Sequence, residues 1–72
     1  MRTIYDDKTD SLFVRLTDGR IVESEEVRPG IILDFDADGR LLAVEIIRAR
    51  ANLAASSDFT AASARQDESV AA

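Results

Sequence analysis

Apolar and polar side chains alternate in short runs through residues 1–54, and each run ends in a cluster of turn-forming residues. Alternation sends successive side chains to opposite faces of an extended chain, so these runs predict β-strands. Breaks every ~8–12 residues are the spacing of antiparallel strands joined by tight turns. Ile4-Tyr5 opens the series. Asp6-Asp7-Lys8-Thr9-Asp10 follows as a turn, because Asp and Thr side chains bond nearby backbone amides. Ser11 to Thr17 alternates cleanly, with Leu12, Val14 and Leu16 on one face and Phe13, Arg15 and Thr17 on the other. Asp18-Gly19 then fits a two-residue type I′ turn. It predicts a hairpin that pairs Leu16 with Ile21 and sets Val14 against Glu23.

From Arg20 to Val27 the pattern weakens. Glu23, Glu25 and Glu26 crowd the segment with like charge, the composition of an exposed edge strand guarded against aggregation. Pro29-Gly30 interrupts it. Gly30 to Asp36 and Arg40 to Arg48 then predict a second hairpin, closed by Ala37-Asp38-Gly39 with Gly39 in the left-handed region. Closure at Asp36 and Arg40 predicts Phe35 opposite Leu41, Leu33 opposite Ala43 and Ile32 opposite Val44. This hairpin is apolar on both faces, and such a hairpin is expected to be covered on both. One face makes the core with Leu12, Val14 and Leu16. The other, Ile32, Leu42, Val44 and Ile46, is the expected interaction surface for a homodimer or a partner protein. Arg48 to Ala55 has helix-forming composition without β-branching and predicts a turn or short helix leaving the sheet.

The expected fold is mainly β (α+β if the C-terminal segment is helical): an antiparallel β-meander of about four to five strands with a short C-terminal helix or disordered tail. Residues 1–54 form the expected domain. Residues 55–72 form an Ala/Ser-rich tail whose large apolar side chains are Phe59 and Val70, too little to offset the entropy of ordering. A frayed tail or a short helix capped by Ser57 is expected there.

Composition narrows the function more than the fold. A chain of 72 residues allows one small domain, which needs good packing or oligomerisation for stability. It contains no cysteine and no histidine, which excludes disulfides, zinc fingers and the usual nucleophile–base pairs. A net charge of −5 argues against binding nucleic acid through bulk charge. No apolar run reaches the ~20 residues of a membrane-spanning helix. Met1-Arg2-Thr3-Ile4-Tyr5-Asp6 lacks the apolar core of a signal peptide, so a soluble cytoplasmic protein is expected.

Asp34-Phe35-Asp36-Ala37-Asp38-Gly39, followed five residues later by Glu45, satisfies the EF-hand loop pattern. In that motif Asp34, Asp36 and Asp38 would offer carboxylate oxygens, Arg40 its carbonyl, and Glu45 a bidentate carboxylate. The flanks oppose it, because an EF-hand loop is entered by a helix and this one is entered through Pro29-Gly30-Ile31-Ile32-Leu33. With strands on both sides, Glu45 lies roughly 17 Å along the chain from the turn. An acidic hairpin turn is therefore expected, with weak cation binding by Asp34, Asp36 and Asp38 as the lesser alternative. Asp6/Asp7, Asp34/Asp36 and Glu25/Glu26 are paired in sequence, but turns and edge strands leave such carboxylates solvated. Arg48 and Arg50 form the one tight pair of arginines and suit an interface salt bridge or a solvated face. No catalytic residue and no cofactor is expected.

Ile4-Tyr5-Asp6, Asp10-Ser11-Leu12-Phe13-Val14-Arg15-Leu16, and the stretch from Pro29-Gly30-Ile31 through Asp36-Ala37-Asp38-Gly39 to Val44-Glu45-Ile46-Ile47 resemble the prokaryotic family called domain of unknown function 2283. The resemblance spans about residues 1–54. It implies a small single-domain cytoplasmic protein without an established activity. Some members are similar to the small partner of a compact toxin-like protein with a ribonuclease fold, which implies an antitoxin-like role. The resulting expectation is a non-enzymatic protein-interaction module. The alternative is a small ligand- or cation-binding domain using the Asp34–Asp38 turn.

Overall fold

A computed structural model describes residues 1–54 and the two-residue strand at residues 67–68. Five alternating runs form strands β1 (Arg2–Asp6), β2 (Ser11–Arg15), β3 (Glu23–Arg28), β4 (Ile31–Phe35) and β5 (Leu41–Ile47). The non-β-branched segment that follows forms one helical turn, α1 (Ala49–Asn52), and Asp67–Glu68 is β6. All strands pair antiparallel in one open sheet of order β3-β4-β5-β2-β1-β6. The fold is therefore mainly β with a short helix after the fifth strand, as the alternation predicts. Apart from β6, the Ala/Ser-rich tail expected over residues 55–72, with its Ser57 cap, lies outside the described residues.

Sheet order departs from expectation at one link. Asp18-Gly19 does not close a hairpin, and Leu16 does not pair with Ile21. Strand β2 ends at Arg15, and residues 16–22 carry the chain across the end of the sheet to its far edge. The amides of Leu16 and Thr17 both bond to the Leu42 carbonyl, at 2.8 and 3.4 Å, and the Val22 amide bonds to the Phe35 carbonyl at 2.8 Å. The physical reason lies in what each strand offers β2. Against β5, Leu12 meets Ile46 and Val14 meets Val44. Against β3, Val14 would have met Glu23. Apolar cross-strand pairs win, and the Glu-rich strand goes to the edge, where all six of its residues are exposed. Strands β2 to β5 thus adopt a Greek-key order.

The second hairpin closes where its sequence predicts. The Asp36 amide bonds to the Arg40 carbonyl at 2.9 Å, Phe35 faces Leu41, and Gly39 has φ 79°. One residue later the register slips. Asp34 faces Ala43, so Leu42 is an extra residue in β5, a β-bulge. Leu33 therefore lies opposite Val44 rather than Ala43, and Ile32 opposite Glu45 rather than Val44. A slip of one residue exchanges faces. Val44 and Ile46 join Leu12, Val14, Ile31 and Leu33 on one face. Ile32 lies on the other, with Asp34, Ala43 and Glu45.

Helix α1 sits over the first of these faces. Tyr5, Leu12 and Ala49 are buried there, and Val14, Ile46 and Leu53 pack against them. The helix is too short to stand alone and is held from a distance by the β1–β2 turn. The Asp10 carbonyl accepts the Ala49 amide at 2.9 Å, and the Asp10 carboxylate accepts the Arg50 amide at 3.3 Å. At the β3–β4 turn Gly30 has φ 84°, and a side chain there would meet the Ile47 carbonyl at 2.9 Å.

Candidate functional site

The three aspartates of the calcium-like pattern are placed in three environments. Asp36 closes the turn: its Oδ1 accepts the amides of Asp38 and Arg40, both at 2.9 Å. Arg40 lies 3.6 Å from Asp36 Oδ2 and donates to Asp38 Oδ2 at 3.1 Å. The Arg40 amide bond to Asp36 is the main reason its carboxyl is held below the ordinary 3.8. Burial opposes it, and the Asp38 amide and the Arg40 charge add smaller lowering effects. Asp38 is exposed beside Arg40, and Asp34 lies inside β4, fully buried. The aspartates do not converge. Among the described residues no group of three or more His, Cys, Asp or Glu side chains is placed to hold a metal ion.

Asp34 instead meets Glu45. In β4–β5 Asp34 faces Ala43 and Ile32 faces Glu45, which makes the two acids diagonal neighbours on one face. Asp34 Oδ1 accepts the hydroxyl of Ser24, its cross-strand neighbour on β3, at 2.6 Å. Asp34 Oδ2 is enclosed and has no donor among the described residues except the Glu45 carboxyl. Glu45 is pushed up from 4.5 to about 7, first by its hydrogen bond with Asp34, then by burial and by the Asp34 charge. Phe13 and Ile32 lie opposite Glu45 on the two neighbouring strands. The pair was not brought together by sequence reasoning. Its signal was two acids inside apolar strands, but their meeting depends on the bulge at Leu42.

The residues expected to form one interaction surface are divided. Val44 and Ile46 are half-buried on the helix side, Ile32 lies on the opposite face, and Leu42 is 2% exposed, with its side chain against Gly19. Of the arginine pair, Arg50 lies 4.0 Å from Asp10 and 5.7 Å from the centre of the Tyr5 ring. The Tyr5 hydroxyl donates to Asp10 at 2.6 Å, and this bond, with burial, raises its pKa. Near the sheet end, Met1, Arg2, Arg15 and Asp18 line a shallow pocket of about 280 Å³. Arg15 donates there to the Gly19 carbonyl.

These features define a class: a small single-sheet antiparallel β protein in which a buried aspartate meets a half-buried glutamate. No helix among the described residues is long and apolar enough to cross a membrane. The model of the family described as protein of unknown function DUF2283 matches residues 2–50, well over half the chain, and the chain belongs to that family. No curated protein and no solved structure matches it.

Proposed function

We propose that the chain is a non-enzymatic protein-interaction module that self-associates or binds another protein through its open sheet. The observation behind this reading is a single sheet whose apolar residues lie on both faces, with, among the described residues, one four-residue helix over one of them. The opposite face carries Ile4, Phe13 and Ile32, all half-buried, and Ile47, which is 43% exposed. Phe13 and Ile32 flank Glu45 on this face, and exposed apolar residues grouped on a sheet face mark interaction sites on small soluble proteins. A two-fold homodimer is the most economical cover. A net charge of −5 adds a finer reading, in which an acidic chain of this family partners a basic toxin-like protein steered to it by charge.

Sedimentation of the full chain at tens of micromolar tests self-association. A dimer or larger species is expected, and Ile47→Glu is expected to shift it toward monomer without unfolding it. A soluble wild-type monomer at that concentration overturns self-association.

A further inference from the structure

Three strands are tied side to side by a line of polar side chains across one face of the sheet. Ser24 on β3 donates to Asp34 on β4 at 2.6 Å, and Asp34 meets Glu45 on β5. Buried polar atoms are rarely left without partners, and a lone unmade bond is costly. Asp34 is fully buried, yet its Oδ2 has no N–H or hydroxyl donor among the described residues. The neighbouring group able to supply one is the Glu45 carboxyl, and only in its protonated form. Two carboxylates at this range cannot both ionise freely, so one proton shared between them removes the repulsion and fills the orphan acceptor.

The other charged side chains on this face have partners of their own, except that the Nε of Arg15 is buried without one among the described residues. Arg15 on β2, diagonal to Glu45, donates to the Gly19 carbonyl. Glu26 on β3, opposite Ile32, accepts the Gly30 amide at 2.8 Å. Arg2 on β1, one strand further, approaches Asp18 at 4.0 Å. Helix α1, with Arg50, lies over the opposite face.

We propose that Asp34 and Glu45 form one proton-binding site that fastens β4 to β5, and that loss of this proton loosens the β3–β4–β5 half of the sheet. Below neutrality the Glu45 hydroxyl donates to Asp34 Oδ2, and the pair carries one negative charge. Above it, two adjacent carboxylates repel across neighbouring strands, and the buried one loses its donor. The site thus makes the sheet sensitive to pH in a range where no histidine exists to do so. The inference does not depend on whether the chain self-associates.

A pH titration of the full chain, following the side-chain carboxyl carbons by NMR, decides it. The Glu45 carboxyl is expected to titrate with a midpoint near 7. Amide exchange in β4 and β5, corrected for the intrinsic effect of pH, is expected to accelerate about tenfold between pH 6 and pH 8.5, which corresponds to about 1.4 kcal/mol. In Glu45→Gln a permanent amide donor faces Asp34, so this acceleration is expected to vanish. A Glu45 midpoint near 4.5 in the wild type overturns the proposal whether or not the variant folds. So does an exchange step that survives in Glu45→Gln.

Discussion

Asp36 and Asp34 are two residues apart and carry the same side chain, yet the fold uses them in opposite ways. Asp36 sits where the backbone reverses, and two amides point at its carboxylate. Charge there is welcome, and the carboxyl is held down. Asp34 sits inside a strand, shut away from water, facing a second acid. Charge there is tolerated once, and the second carboxyl, Glu45, is held up. The two sites thus oppose each other in pH. The Asp36 contribution to stability is present above the ordinary pKa and is lost as the solution turns acid through its lowered value. The Glu45 contribution is complete below 4.5 and is lost as pH rises through about 7. The lesson is that sequence proximity of acids says little. What matters is whether the backbone turns its N–H groups toward them or away.

The largest test of this contrast is Asp34→Ala. It strips Ser24 of its acceptor and leaves a hole beside Glu45, and a loss of about 2–3 kcal/mol in unfolding free energy is expected from denaturant titration at pH 6. A change below about 0.5 kcal/mol would mean the buried network contributes nothing. Next comes the stability profile itself. Between pH 5 and pH 8.5 the wild type is expected to lose about 1–2 kcal/mol, less than the full Glu45 shift because a half-buried group is partly screened. The Glu45→Gln profile is expected to be flat over that range. Asp36→Ala is a smaller perturbation, since the amides it frees can bond to water. A modest drop in melting temperature is expected, with the Glu45 titration unmoved, and a shifted midpoint would show that the two sites are coupled. The smallest effect belongs to Arg40→Ala. Its ion pairs are exposed, and a change under about 0.5 kcal/mol is expected from the same melts.

Alternation located the five strands, and the composition after Ile47 located the helix. The hairpin closure at Asp36 and Arg40 was also legible, because a turn is a local matter and Gly39 supplies its one left-handed position. Partner choice was not local. Asp18-Gly19 carries a strong hairpin signal, but a turn signal weighs less than pairing Leu12 and Val14 with Ile46 and Val44. Nor was the Leu42 bulge legible, since no residue type marks it. That single extra residue decides which face Val44 and Glu45 occupy. The carboxyl pair and the division of the expected surface both follow from it. The family resemblance was readable from residues spread over the whole body, and the match over residues 2–50 agrees with it.

The link at residues 16–22 sets an order of events as well as an order of strands. Strand β2 is flanked in space by β1, made before it, and by β5, made last of the five. As the chain leaves the ribosome, β1 and β2 can zip together at once, but one side of β2 has no neighbour until Leu41–Ile47 emerges. Through that interval an apolar strand edge bearing Leu12 and Val14 is open to any chain nearby. Closing it requires the intervening residues to loop round first, which slows assembly relative to a sheet built from successive hairpins. A newly made chain is thus most open to association with its neighbours before β5 is made.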